Sequence, residues 1–277
     1  MKVYVHTDIE GVAGWAFYAS WSNSLLNRDH LRRMNQLFTD EISAACRAAL
    51  DTGADDVWVN DSHGPCYNIF FEQLPKECQV IHGRPQYFDA LLPCFDATVD
   101  ALVCIGMHAM AGTPRSVCPH SLWHVNGDDV QLSECTMAAA LAGYHDVPCV
   151  CVSGDDKLCA EVRQKLPRTE TVTVKWGIAS QNARSLTPTR ACELIYDGVR
   201  RGLERRDEIR PYKIPGPYRI NVSDRDPTEM MREEDVCGDD FWETVHRARI
   251  QGGYWRFGDP IDDRVFRWPD SLFKGDA

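Results

Sequence analysis

Two carboxylates one residue apart, Asp8 and Glu10, close a short apolar run, Val3-Tyr4-Val5, and Gly11 follows them. Other segments repeat the theme. His63 follows Val59-Asn60-Asp61-Ser62, His108 follows the apolar stretch 99–106 and Met107, and Glu134 follows Ser133 ahead of an alanine-rich stretch. Two imidazoles and three carboxylates form a donor set for borderline divalent metals, zinc first. One catalytic zinc usually takes three protein ligands. Five ligands suit two metals that share a bridging carboxylate, an arrangement used to hydrolyse amides and phosphates. His120, in Cys118-Pro119-His120-Ser121, would stand beside such a site as a proton carrier or nucleophile, with His124 as the alternative for that role.

Each of these residues has a plainer explanation when taken alone. Asp8 could cap a turn and Glu10 could face water. His63 could be a turn residue beside Gly64-Pro65, and His108 a core histidine bonded to backbone. Glu134 near a helix N-terminus is favoured by the helix dipole alone. Their joint placement argues for a site, because separate strand and helix ends deliver them to one rim if the sheet is parallel. His6, inside the first apolar run, reads as buried structure.

The elements that would position them alternate along the chain. Strands are expected at the N-terminus and at 56–60, 79–82, 99–106 and 147–152, with strand character at Val172-Thr173-Val174. Helices are expected over 30–50, where Leu31, Met34, Leu37, Phe38 and Ile42 recur at helical spacing, and over 85–92. Further helices are expected from Ser133 to Gly143, after Asp155-Asp156 to about Leu166, and from Pro188 to about Arg206. Residues 112–129 lack periodicity and read as a long loop or hairpin. This order predicts an α/β fold: a mostly parallel sheet with helices on both faces. The segment 208–217, with Pro211, Pro215 and Pro217, marks a boundary. The expected domains are a metal-binding catalytic domain over 1–210 and a smaller C-terminal α+β portion over 211–277. The latter holds a strand at 218–223, helical stretches near 227–234 and 240–249, and an aromatic tail with Trp255, Phe257, Phe266, Trp268 and Phe273. That tail must pack on the main domain or on a neighbouring subunit.

Composition narrows the function. The 277 residues are 44% hydrophobic and 26% charged, enough for a substantial core. A net charge of −11, with no basic run, argues against nucleic acid and anionic membranes as partners. Twelve cysteines include no C-x-x-C pair, and several lie inside apolar runs, where they read as small buried hydrophobes. With no signal peptide and no bilayer-spanning run, a reducing cytoplasm is the expected setting.

Two other classes fit these residues less well. A haloacid-dehalogenase-type phosphotransferase would use Asp8 as nucleophile and Gly154-Asp155-Asp156 as its later acidic pair. That chemistry expects Asp where Glu10 stands and a Lys ahead of the later pair, and it leaves His63, His108 and Glu134 unused. A dinucleotide-binding module would need G-x-G-x-x-G after the first strand, and none is present.

The motifs Asp8-Ile9-Glu10-Gly11, Val59-Asn60-Asp61-Ser62-His63, Gly106-Met107-His108-Ala109, His120-Ser121, Glu134 and Val152-Ser153-Gly154-Asp155-Asp156 occur in the order of the Dpp-type zinc D-aminopeptidases. Val174-Lys175 and Leu186-Thr187-Pro188 also resemble that family. The resemblance covers roughly the first two hundred residues, and the tail from about 250 departs from it. It implies a dinuclear zinc amide-bond hydrolase: an aminopeptidase for short or D-amino-acid-containing peptides, with an amidase acting on a non-peptide small amide as the alternative. It also implies two zinc ions per subunit and a homo-oligomer, a ring-stacked homodecamer in the family. By motif, Asp8 would bridge the metals, and Glu10, His63, His108 and Glu134 would complete their shells. His120 matches the family's assigned nucleophile; a hydroxide bridging two metals is an equal candidate for attack, with His120 then moving the proton.

Overall fold

The computed structural model describes residues 1–16, 25–64, 66–83, 91–127 and 129–251. Most of the helix expected over 85–92, and the whole aromatic tail, lie outside the described residues. The main sheet has seven strands: β1 (Lys2–Thr7), β2 (Asp56–Asp61), β3 (Cys78–Ile81), β4 (Ala101–Met107), β7 (Cys149–Asp155), β8 (Glu170–Ala179) and β9 (Asn182–Ser185). Their order is β3-β2-β1-β4-β7-β8-β9. Every pairing is parallel except β8 with β9. A second sheet, ordered β11-β10-β5-β6 and antiparallel throughout, joins β5 (Leu122–Val125), β6 (Val130–Leu132), β10 (Tyr218–Ser223) and β11 (Val236–Gly238). The helices are α1 (Leu25–Asp51), α2 (Glu134–Tyr144), α3 (Asp156–Lys165), α4 (Pro188–Glu204) and α5 (Phe241–Gln251).

Strand alternation divides the core between the two faces of the main sheet. Val3, Val5, Val103 and Ile105 pack with Phe38 and Ile42 of α1 and with Ile195 and Val199 of α4. Tyr4, Leu102 and Cys104 face the other way, onto Met137 and Leu141 of α2, Leu158 of α3 and the inner side of the small sheet. Nearly continuous burial along β4 and β7 is what a sheet covered on both faces requires. No helix among the described residues is long and apolar enough to cross a membrane.

The structure departs from the sequence reading in local detail. Residues 112–129 include the strand of a hairpin, β5, whose partner β6 follows. The strand expected at Val172–Val174 runs on to Ala179 and returns as β9. Residues 227–234, expected to be helical, form turns and a bridge from Ser223 to Met230. The cause is local: the Asp226 carboxylate accepts from Thr228 N at 2.9 Å and from Thr228 Oγ1 at 2.7 Å, a turn that competes with helix. The small sheet takes strands from both sides of residue 211, since β10 pairs with β5.

The chain leaves β1 toward β2 on one side, and β4 lies on the other, so the strand order reverses between β1 and β4. That is where open α/β sheets bind ligands. The two strand ends meet closely there. Gly11 N donates to Gly106 O at 2.7 Å, and Gly106 N donates to Ser153 Oγ at 3.0 Å. Gly106 has φ of 72°, and a Cβ on it would collide with the Asp8 carbonyl; a Cβ on Gly11 would collide with Met107 O. Neither position admits a side chain. Beyond Gly11, the chain is held by Glu41 of α1. Its buried carboxylate accepts from Ala13 N at 2.8 Å, and burial pushes it up to about 7.

Gly106→Ala is expected to cost at least about 1–3 kcal/mol from the backbone conformation alone, read by urea unfolding; unchanged stability would contradict the close approach. Glu41 gives a pH signature. Its carboxyl titrates at 4.5 when unfolded and about 7 when folded, so its contribution is full below 4.5 and is lost as pH rises through 7. Glu41→Gln retains the acceptor for Ala13 N–H and should recover up to about 3 kcal/mol at pH 8.5, with little gain at pH 4.5. Parallel stability-against-pH curves for the two proteins would refute this.

Candidate metal centre

The rim at the β1/β4 reversal gathers the residues in a small volume. Asp8 and Glu10 are buried to 5% and 1% exposure immediately after β1. The two Asp8 oxygens face opposite ways. Oδ1 lies 3.1 Å from His63 Nδ1, and Oδ2 lies 3.2 Å from His108 Nε2. His63 Nδ1 is also 3.2 Å from Glu10 Oε2, and His108 Nε2 is 3.7 Å from Glu134 Oε2. His120 Nε2 stands 4.0 Å from Glu10 Oε1, and its ring stacks on His108 with centroids 3.9 Å apart. All six side chains singled out in the sequence therefore meet.

Donor atoms of Asp8, Glu10 and His108 lie within 4.8 Å of one another, and so do those of His108, His120 and Glu134. This geometry is what a cation would use. Three carboxylates pressed together at low exposure need positive charge, either as imidazolium protons or as metal ions. Burial pushes the Asp8 carboxyl up, but hydrogen bonds with His108 and His63 outweigh it and hold it well below the usual range. Burial likewise works against the His63 and His108 imidazolium forms. Glu10 and Asp8 overcome it for His63, and Asp8 and Glu134 for His108, so both imidazoles are held well above their ordinary value. Glu134 is drawn down against burial by His108. The nitrogen and carboxylate donors fit zinc-type ions, with His63, Glu134 and His120 forming the more exposed side.

Tautomers follow from the backbone. His108 Nδ1 lies 2.9 Å from Ala109 O and His120 Nδ1 2.9 Å from Cys118 O, and a carbonyl can only accept. Each Nδ1 therefore carries hydrogen, and in the neutral ring each Nε2 presents its lone pair to the cluster. Cys118 is no rival nucleophile, since burial, then the Glu10 carboxylate, pushes its thiol up to about 12.

Polar side chains hold the segments that carry His63, His120, Glu134 and Glu10. Asp61 accepts from Asn68 N at 2.5 Å and Ile69 N at 3.1 Å, while Asn68 Nδ2 donates to His63 O at 2.7 Å. Asp155 caps α3 through Oδ1; its Oδ2 accepts from Ser116 Oγ at 2.5 Å and Val117 N at 3.0 Å, fixing the approach to His120. Cys118 and Ser121, on either side of His120, sit at φ of 45° and 54°, the kind of backbone strain that functional loops store. Ser133 caps α2 as expected, and Glu161 of α3 accepts from Ser133 Oγ at 2.9 Å and Thr136 Oγ1 at 2.7 Å, fixing the helix start where Glu134 stands. Lys175 of β8, fully buried, binds carbonyls of the turn after Glu10, and burial pushes it down to about 8.

Sequence reasoning missed most of this layer. Asp155 was visible as a strand-end acid, but its role as a loop anchor was not. Glu161 and Glu41 look like ordinary polar positions of amphipathic helices. His124 does not join the cluster; its Nε2 lies 2.9 Å from Ser223 Oγ inside the small sheet. His6 is buried, with Nδ1 3.1 Å from Asn60 Nδ2.

Comparison with known proteins agrees with the geometry. Residues 1–234 match the model of peptidase family M55, described as D-aminopeptidase. The D-aminopeptidase of Bacillus subtilis (strain 168) is 30% identical over 219 residues, covering 78% of each chain. Among solved structures, the Zn-dependent D-aminopeptidase DppA from Bacillus subtilis, a self-compartmentalizing protease, superposes with a TM-score of 0.80 at 25% identity, covering 91% of this chain and 96% of that one. Neither the phosphotransferase nor the dinucleotide-binding alternative is favoured by these matches. The chain belongs to the M55 family of D-aminopeptidases.

Proposed function

We propose that this chain is a dinuclear zinc aminopeptidase that removes the N-terminal residue of short or D-amino-acid-containing peptides, with the six-residue cluster as its active site. The observation that carries this reading is Asp8, whose two oxygens address two separate sets of donors. Asp8, Glu10 and His63 would hold one zinc, and Asp8, His108 and Glu134 the second. Zinc, when bound, serves as a Lewis acid toward the scissile carbonyl and acidifies water.

The chain's own residues do the remaining work. His120 presents Nε2 to the cluster with its tautomer set by Cys118 O, so it takes a proton during attack and returns it to the leaving amine. Its ring is held by stacking on His108 and by the anchored approach through Ser116 and Val117. The chain's net charge of −11 favours the approach of a substrate that carries a free ammonium terminus. Residues 1–210 contain all six site residues, and β10, in the portion from 211, pairs with β5. All twelve cysteines are free thiols, in keeping with a reducing cytoplasm. The self-compartmentalizing relative supports a homo-oligomer here too; the assembly proposed from the motif resemblance is a homodecamer with its sites facing an enclosed space.

The zinc-loaded protein should hydrolyse D-aminoacyl amides and D-containing dipeptides faster than their L counterparts and faster than non-peptide amides. Asp8→Ala and His108→Ala should lose more than the roughly 10–100-fold in metal affinity and activity that loss of an outer partner alone produces. Full zinc occupancy in both variants would sink the metal assignment, and a preference for non-peptide amides would move the substrate reading to an amidase. Light scattering after gel filtration should give about ten times the 31.4 kDa chain mass, and a monomer would refute the enclosed assembly.

A further inference from the structure

Lys175 is the group that the catalytic reading leaves unused. It lies on β8, two strands from β4, fully buried after the alternating run Thr171-Val172-Thr173-Val174. Its Nζ donates to Glu10 O, to Val12 O at 3.1 Å and to Trp15 O at 2.8 Å. Those bonds use every N–H of the ammonium. Nζ also stands 5.4 Å from the centre of the Trp15 ring. Among the described residues no carboxylate oxygen forms an ion pair with it. The charge is given to main-chain oxygens of one turn.

That turn begins at Glu10. On one side, Gly11 N is bonded to Gly106 O of β4; on the other, the three carbonyls converge on Lys175. The backbone of Glu10 is therefore clamped from two strands, and its carboxylate is aimed at His63 and His120. A side chain that served packing alone would fill this space with methylenes. An ammonium with three carbonyl acceptors instead fixes the φ and ψ of the residues that follow Glu10, as a bound cation would.

We propose that Lys175 is a positioning residue of the active site, holding the Glu10–Trp15 turn so that the Glu10 carboxylate is preset to receive metal. This rests on the zinc-site reading above. Without the ammonium, all three carbonyls lose one donor, Val12 O keeping Trp15 N at 3.1 Å, and the tie from β8 to the turn is lost, which misplaces Glu10 without removing it.

The test compares the wild type with Lys175→Met, which keeps the stem and removes the charge and donors, and with Lys175→Gln, which keeps N–H donors without charge. Zinc affinity is measured on metal-depleted protein by competition with a chromogenic chelator, and kcat and KM are measured on a D-aminoacyl amide at saturating zinc. Lys175→Met should bind zinc about 10–100-fold more weakly and retain a reduced kcat even when fully loaded, with KM changed less than about threefold. Lys175→Gln should fall between it and the wild type. Wild-type zinc affinity and kcat in either folded variant would overturn the inference, and so would failure of both to fold, which would assign Lys175 to the fold alone. Failure of the wild type to bind zinc is a separate result that would overturn the zinc reading itself.

Discussion

Asp8 and Glu10 are carboxylates buried at the edge of a parallel sheet, and such burial is costly unless each oxygen meets a proton or a cation. The rest of the site answers that need. His63 and His108 approach Asp8 from opposite sides, Glu134 adds a third carboxylate beyond His108, and His120 closes the group by stacking. The shifts of Asp8, His63, His108 and Glu134 are one electrostatic problem seen from several residues. Proton or metal ion can solve it, and the two compete for the same nitrogens.

Positioning of this cluster falls to a layer of buried and half-buried polar side chains that bond mainly to main-chain groups. Asp61 with Asn68, Asp155, Glu161 and Lys175 each hold one segment that carries a site residue. Strands alone could not do this, because the ladder ends at Thr7, Asp61 and Met107 and the site residues stand beyond it. The close approach of Gly11 to Gly106 sets how near the two central strand ends come, and the buried layer sets how the chain turns afterwards. A mutation in this layer would act on geometry at a distance from the reacting atoms.

Much of the site was legible in the sequence because strand ends are. Apolar runs that stop at Asp8, at Asp61 and at Met107 announce a rim, and a parallel sheet puts those ends on one edge. The motif order added the family. The supporting layer was illegible for a definite reason. Lys175 binds carbonyls 160 to 165 positions away, and Asp155 reaches back 38 or 39 residues to Val117 and Ser116. No periodicity links residues at such separations. Residues 227–234 misled for the opposite reason, since a local Asp226–Thr228 turn overrides helix propensity there.

The sequence by itself determined which side chains carry the chemistry and on which elements they ride, because residue type and strand periodicity are local properties. Tertiary structure alone decided that Asp8 turns one oxygen to His63 and the other to His108. It also decided that His120, not His124, joins them, and that a lysine on a distant strand braces the turn after Glu10. Those outcomes depend on strand order, on two glycines that let backbones touch and on buried hydrogen bonds between remote segments, all of which exist only once the chain has folded.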